Sequence, residues 1–385
     1  MCVHPTSLTL CLLIVVCALC NYLLMWLSLR PWRQAASAHW TERARWLWLA
    51  RKSRLSILLG VAATAVIFWL EVLQAELHTL LPLGLMAGYF TTAFFIDRRI
   101  EPRHTLRLWL GQLGWILGFV WALAGIVIWV SLSTSVDMTR TDWLRLAVAA
   151  VLLILLHSGV WLLLLPNRGK HPETPRLRHI VDAVAVQAGV GPVRAWVVRS
   201  VMANAIALMY IRSMIFTSRA MEVLDDAELR TIAQHELAHL RESFAVRCAR
   251  MLGGLAWLGF AFTQPVVHRI GMGGVFWIFL GVVLLRRFAM NTAKRMENRA
   301  DSMSATTDAE GPVYARALEK LYAANQMPAV MHKRLVHPHL YDRMIAAGLT
   351  PDYARPAPPP RWHWTGVVAL LPLAFWLGYR LKTGL

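Results

Sequence analysis

His235-Glu236-Leu237-Ala238-His239, within Leu229–Ser243, is the stretch on which the reading of this chain turns. It is an H-E-x-x-H sequence on a helix, so its two histidines, four residues apart, share one face and can both reach one metal ion. Zinc accepts neutral imidazole nitrogen readily, and a catalytic zinc site keeps one position free for water. Glu236 would flank that water, remove its proton and later deliver a proton to the leaving amine. The alternative is a surface helix that happens to carry two histidines, and a third ligand decides between the two readings.

The surrounding chain is apolar. Of 385 residues, 57% are hydrophobic and 16% charged, which excludes an ordinary soluble protein. Several apolar runs reach the length of about 20 residues that a helix needs to cross a bilayer. A net charge of +18 would suggest nucleic acid in a soluble domain. Here Lys and Arg lie mostly between apolar runs, where they set topology, and no nucleic-acid-binding module accompanies them. The lipid bilayer is therefore an expected partner and nucleic acid is not. Cys2, Cys11, Cys17 and Cys20 lie in or beside the first apolar run, with Cys248 far from them. Cys17 and Cys20 form C-x-x-C inside an apolar helix and read as small buried thiols, with no disulfide framework. The N-terminus lacks the basic region of a signal peptide, so the first run reads as a retained span. No Gly-rich phosphate loop is present, which leaves ATP-driven proteolysis unsupported.

Spans are expected at about Leu8–Leu29, Leu55–Leu73, Leu80–Ile96, Leu108–Leu132 and Leu144–Leu165. The connections at 30–54, 97–107 and 167–178 are basic, whereas the link holding Glu71 and Glu76 and the loop 133–142 are not. That alternation places the basic loops, and the H-E-x-x-H helix, in the cytoplasm with the N-terminus outside. From Pro172 the pattern becomes that of a soluble domain. A helix is expected over Thr174–Ala188, strands at Val193–Val198, Ala205–Tyr210 and Ser213–Thr217, and a capping box at Asp225 and Glu228 that starts the metal-binding helix near Ala227. A membrane hairpin follows, Met251–Val267 and Met272–Leu285 joined by His268–Gly271. Helices are then expected over Phe288–Ala305 and Pro312–Ala324, a Pro-rich linker at Pro351–Arg361, and a last span at Trp364–Leu381.

The fold class read from this pattern is a mainly α, polytopic membrane protein with about eight transmembrane helices and a cytoplasmic zincin-like α+β catalytic domain split by a membrane hairpin. The expected organisation is an N-terminal membrane domain at 1–166 and a first catalytic part at 167–250. The hairpin follows at 251–287, a second catalytic part at 288–350, the linker at 351–363, and the final span and tail at 364–385.

Beyond the hairpin lies Met296-Glu297-Asn298-Arg299-Ala300-Asp301. A carboxylate on a second helix is what a His₂Glu catalytic zinc site requires, and Glu297 is the candidate. Asp301, one turn later on the same face, could accept a hydrogen bond from a ligating imidazole and fix its tautomer. Spacing leaves open a solvated acidic face that pairs with Arg295 or Arg299. His157, in the fifth span, reads as a helix–helix hydrogen bond beside Ser158, with a functional role as the alternative. His332 and His339 read as surface residues. Trp residues at span ends, among them Trp26, Trp32, Trp143 and Trp364, read as interfacial anchors.

Taken together and in order, Asn204-Ala205, His235–His239, Glu297–Asp301, His337-Pro338 and Arg343 resemble the integral-membrane zinc metalloproteases that include the Ste-type CAAX prenyl proteases and the bacterial heat-shock membrane proteases. The resemblance covers about Arg176–Leu349. It implies one Zn²⁺ per chain, held by His235, His239 and Glu297, with Glu236 as general base and Asp301 behind the ligands. It further implies that Asn204 and Ala205 begin an edge strand that binds substrate. His337 would contact the substrate carbonyl or its oxyanion, and Arg343 would brace Asp301 and help stabilise charge. Ile206 stands where the family often has phenylalanine. The implied partners are peptide or protein substrates associated with the membrane, in quality control or CAAX-type processing, and the expected location is a bacterial inner membrane. Two other classes stay open. One is a sensor-protease that cleaves a cytosolic regulator, although no large external domain is visible. The other is a non-catalytic zinc-containing scaffold or transporter, which would have no use for Glu236.

Overall fold

The computed structural model describes residues 7–72, 80–164, 169–304, 310–333 and 336–383. Among these, eight helices are long and apolar enough to cross a membrane, and one three-stranded sheet accompanies them. The protein is thus mainly α and polytopic. Glu76, Arg168 and the start of the 167–178 loop lie outside the described residues.

Packing divides the chain into two units. The first comprises Met1–Trp109, Asn325–His332 and Tyr353–Leu385. Its helices are α1 (Ser7–Ser28), α2 (Arg30–Gln34), α3 (Trp40–Ile67, continued by a π-helical turn at Phe68–Val72), α4 (Leu80–Ile100) and the last helix of the chain, Trp364–Thr383. Met25, Leu47, Ile57, Leu81, Ile96 and Ala369 form its core. The expected basic loop 30–54 is a correction, because its second half is the first part of α3. Its Arg, Lys, Glu and Ala residues are good helix formers, Glu42 pairs with Arg45 at 3.0 Å, and the His39 ring accepts from Thr41 N to cap the start. Charge density read as a loop is here a helix whose cationic side chains are mostly half-buried and paired, as Arg54 is with Asp97 and Arg51 with the Asn325 carbonyl. At the far end of α4, Asp97 accepts from Arg54 at 2.7 Å and from Trp109 Nε1 at 2.9 Å.

The second unit comprises Leu110–Ala324 and Lys333–Asp352. It contains most of α5 (Leu106–Ser133), then α6 (Arg140–Ser158) and α7 (Thr174–Gln187). Strands β1 (Arg194–Val198), β2 (Ala205–Leu208) and β3 (Ser213–Thr217) follow. The remaining helices are α8 (Ser218–Val223), α9 (Asp226–Leu240), α10 (Phe244–Leu255), α11 (Thr263–Ile270), α12 (Gly273–Ser304), α13 (Glu310–Asn325) and α14 (Leu340–Ala346), which makes the last helix, in the first unit, α15. The strand order is β1-β3-β2, with β1 parallel and β2 antiparallel to β3. The central strand is buried through Ser213–Phe216, as a strand covered on both faces must be. The edge strand β2 leaves Ile206 exposed.

Two further departures from the sequence reading have simple causes. The fifth span starts earlier, at the Thr139–Asp142 capping box, and stops at Gly159, which adopts the left-handed conformation. The return arm of the hairpin and the helix expected after it are one continuous helix, α12. Its surface changes from apolar to charged without any helix-breaking residue. Among the described residues His157 makes no helix–helix hydrogen bond. Its Nδ1 bonds to Leu153 O of its own helix at 2.9 Å, and its ring fills the space that Gly254 leaves on α10.

In the first unit, a Cβ at Gly60 would lie 2.1 Å from the Ala369 carbonyl oxygen, so α3 and α15 meet backbone to backbone. Gly60→Val should therefore destabilise the detergent-solubilised protein by about 1–3 kcal/mol, read as a lowered midpoint of thermal unfolding; an unchanged midpoint would contradict this packing.

Candidate metal centre

α9 begins with the expected capping box. Asp225 accepts from Glu228 N at 2.9 Å, and Glu228 accepts from Asp225 N at 3.0 Å. Lys320 of α13 adds an ion pair to Glu228 at 2.7 Å. The helix start, where four backbone N–H groups lack internal partners, is thereby tied down two turns before the histidines. His235, Glu236 and His239 lie on the buried face of α9, and Glu297 of α12 is buried opposite them.

Ligand atoms of His235, His239 and Glu297 all lie within 4.8 Å of one another. His235 Nε2 is 3.3 Å from His239 Nε2 and 3.5 Å from Glu297 Oε2, and His239 Nε2 is 3.6 Å from Glu297 Oε1. A tetrahedral ion with bonds of about 2.1 Å separates its ligand atoms by about 3.4 Å, so the three edges fit such an ion. Direct hydrogen bonding explains them poorly, since they exceed the usual N–H···O distance. The donor set and the spacing both suit a metal. Of the two arginines that offered a rival pairing, Arg299 instead faces Glu242 at 3.5 Å.

Behind His235 the polar groups are paired, whereas His239 Nδ1 is buried with no hydrogen-bond partner among the described residues. Arg343 of α14 donates to both oxygens of Asp301, Nε to Oδ2 at 2.9 Å and Nη2 to Oδ1 at 2.7 Å. Tyr314 of α13 donates to Asp301 Oδ1 at 2.7 Å and lies 2.8 Å from His235 Nδ1. Burial disfavours a charged His235, but the nearby Asp301 and Glu297 carboxylates, which accept from a protonated ring, outweigh it and raise its pKa to about 9. Burial also keeps the Tyr314 phenol protonated, well above its ordinary range. For Arg343, burial opposes the charge, while Tyr314 and Asp301 outweigh it and hold the guanidinium above its usual value.

The other sequence candidates fall as follows. His337, half-exposed on the segment before α14, directs Nδ1 at Glu297 Oε2, 2.8 Å away. Arg343 is buried, with Nε and Nη2 engaged by Asp301 and Tyr314. Asn204 and Ala205 open the edge strand, where the bonds of Asn204 are local. It accepts from Ala205 N at 3.0 Å and pairs with Thr217. His332 is exposed, while His339 is half-buried at the N-terminus of α14.

Residues 171–353 match the model of peptidase family M48. The similarity spans just under half of the chain. The matched segment holds every motif from which the resemblance was read, and no curated protein matches the chain. The segment that matches this peptidase family is the one that carries the His235, His239 and Glu297 cluster. Within it, Tyr314 is the residue that the sequence did not reveal. A tyrosine among the apolar positions of α13 looks like core, and only the rule that a buried phenol needs a partner hints otherwise.

Arg343→Met should leave the largely buried Asp301 carboxylate without its cation and cost about 3–5 kcal/mol of folding stability. Denaturant unfolding of the metal-free protein, followed by helix content, would show it; a loss below 1 kcal/mol, roughly the size of an exposed pair, would contradict the arrangement.

Proposed function

We propose that this chain is a membrane-embedded zinc metalloendopeptidase that hydrolyses peptide bonds of membrane-associated proteins at the cytoplasmic face of a bacterial inner membrane. The observation that carries the reading is the convergence of His235, His239 and Glu297 at tetrahedral spacing beside a buried Glu236. These three residues would hold one Zn²⁺, which when bound polarises the scissile carbonyl and activates water. Glu236 accepts the proton of the attacking water and passes it to the leaving amine. His337, beside Glu297 and half-exposed, donates a hydrogen bond to the carbonyl oxygen as it gains negative charge. Arg343 acts at one remove, by holding Asp301. The free edge of β2, which starts at Asn204-Ala205, binds an extended peptide through main-chain hydrogen bonds.

The basic connections between spans support a cytoplasmic catalytic part with both chain ends outside. A reporter active only outside the cytoplasm, fused after Leu385 in bacterial cells, should be active; an inactive reporter with a well-inserted chain would reverse the assigned orientation. Quality control of misfolded membrane proteins and CAAX-type processing both fit the reading. Comparing the membrane proteomes of cells with wild-type protein and with Glu236→Gln would separate them.

Glu236→Gln should lower cleavage of casein or a generic peptide by about 100- to 10,000-fold while the protein still carries its metal by elemental analysis. Treating the wild type with a zinc chelator should abolish cleavage, and added Zn²⁺ should restore it. Undiminished activity of the variant, or a wild type without zinc, would sink the proposal.

A further inference from the structure

Tyr314 is almost completely buried, and its ring stacks on that of His235 with 5.8 Å between centroids and 22° between planes. Three groups meet its single oxygen: His235 Nδ1 at 2.8 Å, Asp301 Oδ1 at 2.7 Å and Arg343 Nη2 at 2.7 Å. Counting protons decides who donates. A guanidinium has no acceptor, so the phenol oxygen accepts from Arg343. The Asp301 carboxylate, already paired with Arg343, only accepts, so it takes the one phenolic proton. Towards His235 the oxygen has only a lone pair left, and the hydrogen on that contact must come from Nδ1. A neutral His235 with its proton on Nδ1 has a bare Nε2, and Nε2 is the nitrogen that faces His239 and Glu297. The direct contact of His235 Nδ1 with Asp301 Oδ1, 3.3 Å, is longer than either contact of the phenol oxygen with these two groups.

We propose that Tyr314 is a positioning residue that fixes the tautomer and ring orientation of His235, and that Asp301 and Arg343 act on His235 mainly through its hydroxyl. This rests on the reading of His235 as a metal ligand. The arrangement is a relay in which Arg343 orients the phenol, the phenol holds the imidazole, and the imidazole presents Nε2. Groups that hold a ligating imidazole from behind commonly change metal affinity when removed.

The test is the affinity of the detergent-solubilised full chain for Zn²⁺, measured by competition with a chromophoric chelator. Tyr314→Phe keeps the stacked ring and removes one oxygen, and should weaken Zn²⁺ binding about 10- to 100-fold. If Tyr314 only filled space, folded variant protein would bind Zn²⁺ as the wild type does, and that result would overturn the proposal. A second measurement needs no variant. In zinc-loaded wild type labelled with ¹⁵N-histidine, the His235 ring should be protonated at Nδ1 and ligated through Nε2, whereas a proton at Nε2 overturns the relay even if Tyr314→Phe does not fold. A wild type that binds no Zn²⁺ removes the metal reading itself. A wild type that binds Zn²⁺, beside a variant of equal affinity, removes only the role of Tyr314.

Discussion

His235 Nε2, His239 Nε2 and the Glu297 carboxylate face one another across 3.3–3.6 Å in a buried setting, and protons alone cannot satisfy all three edges. Protonating both imidazoles to serve Glu297 would set two imidazolium ions side by side. One divalent cation supplies the same charge at the centre and serves every edge at once. The surrounding groups show the contrast, because Asp301 and Glu228 are each saturated by a cation and a further donor. Buried polar groups go unpaired only at a cost. The local deficit lies where the three donors meet, and everything around it is arranged to keep them there.

Keeping them there is a task for helices rather than loops. α9 brings two donors, fixed in register by its capping box and by Lys320 from α13. α12 brings the third together with Asp301, one turn on. α13 and α14 contribute Tyr314 and Arg343, which link all of them through one carboxylate. Removing any one of these leaves a buried charge or donor without its partner, so errors in placement are costly. His337 differs, being half-exposed on the segment before α14, with its Nδ1 2.8 Å from Glu297 Oε2.

What could be read beforehand follows from the range of the interactions. The capping box, the paired histidines and the strands Arg194–Val198 and Ser213–Thr217 are set by neighbours within a few residues, so their patterns are visible along the chain. Glu297 and Asp301 were legible only as a face awaiting a partner, because spacing does not say which helix lies opposite. Tyr314 was illegible, since its role depends on α13 crossing behind both His235 and Asp301. Hydropathy also misled in two places. It divided α12 where the surface turns charged, and it made a loop of the residues that begin α3. In both, the backbone remains helical while the side chains change their solvent.

The continuity of α12 has a consequence for what can be cut. Its apolar part ends at Arg286 and Arg287, and Arg286 lies over the Trp257 ring at 4.6 Å, an aromatic–cation pairing typical of a membrane interface. From Arg287 to Glu297 the helix rises about 15 Å at ~1.5 Å per residue, with no break to change that height. An extended peptide covers about 3.3 Å per residue, so about five residues bridge the interface and the metal centre. If the chain acts as proposed, a substrate anchored in the bilayer would need only this short extended segment to reach the donors, and the β2 edge would be the place to receive it.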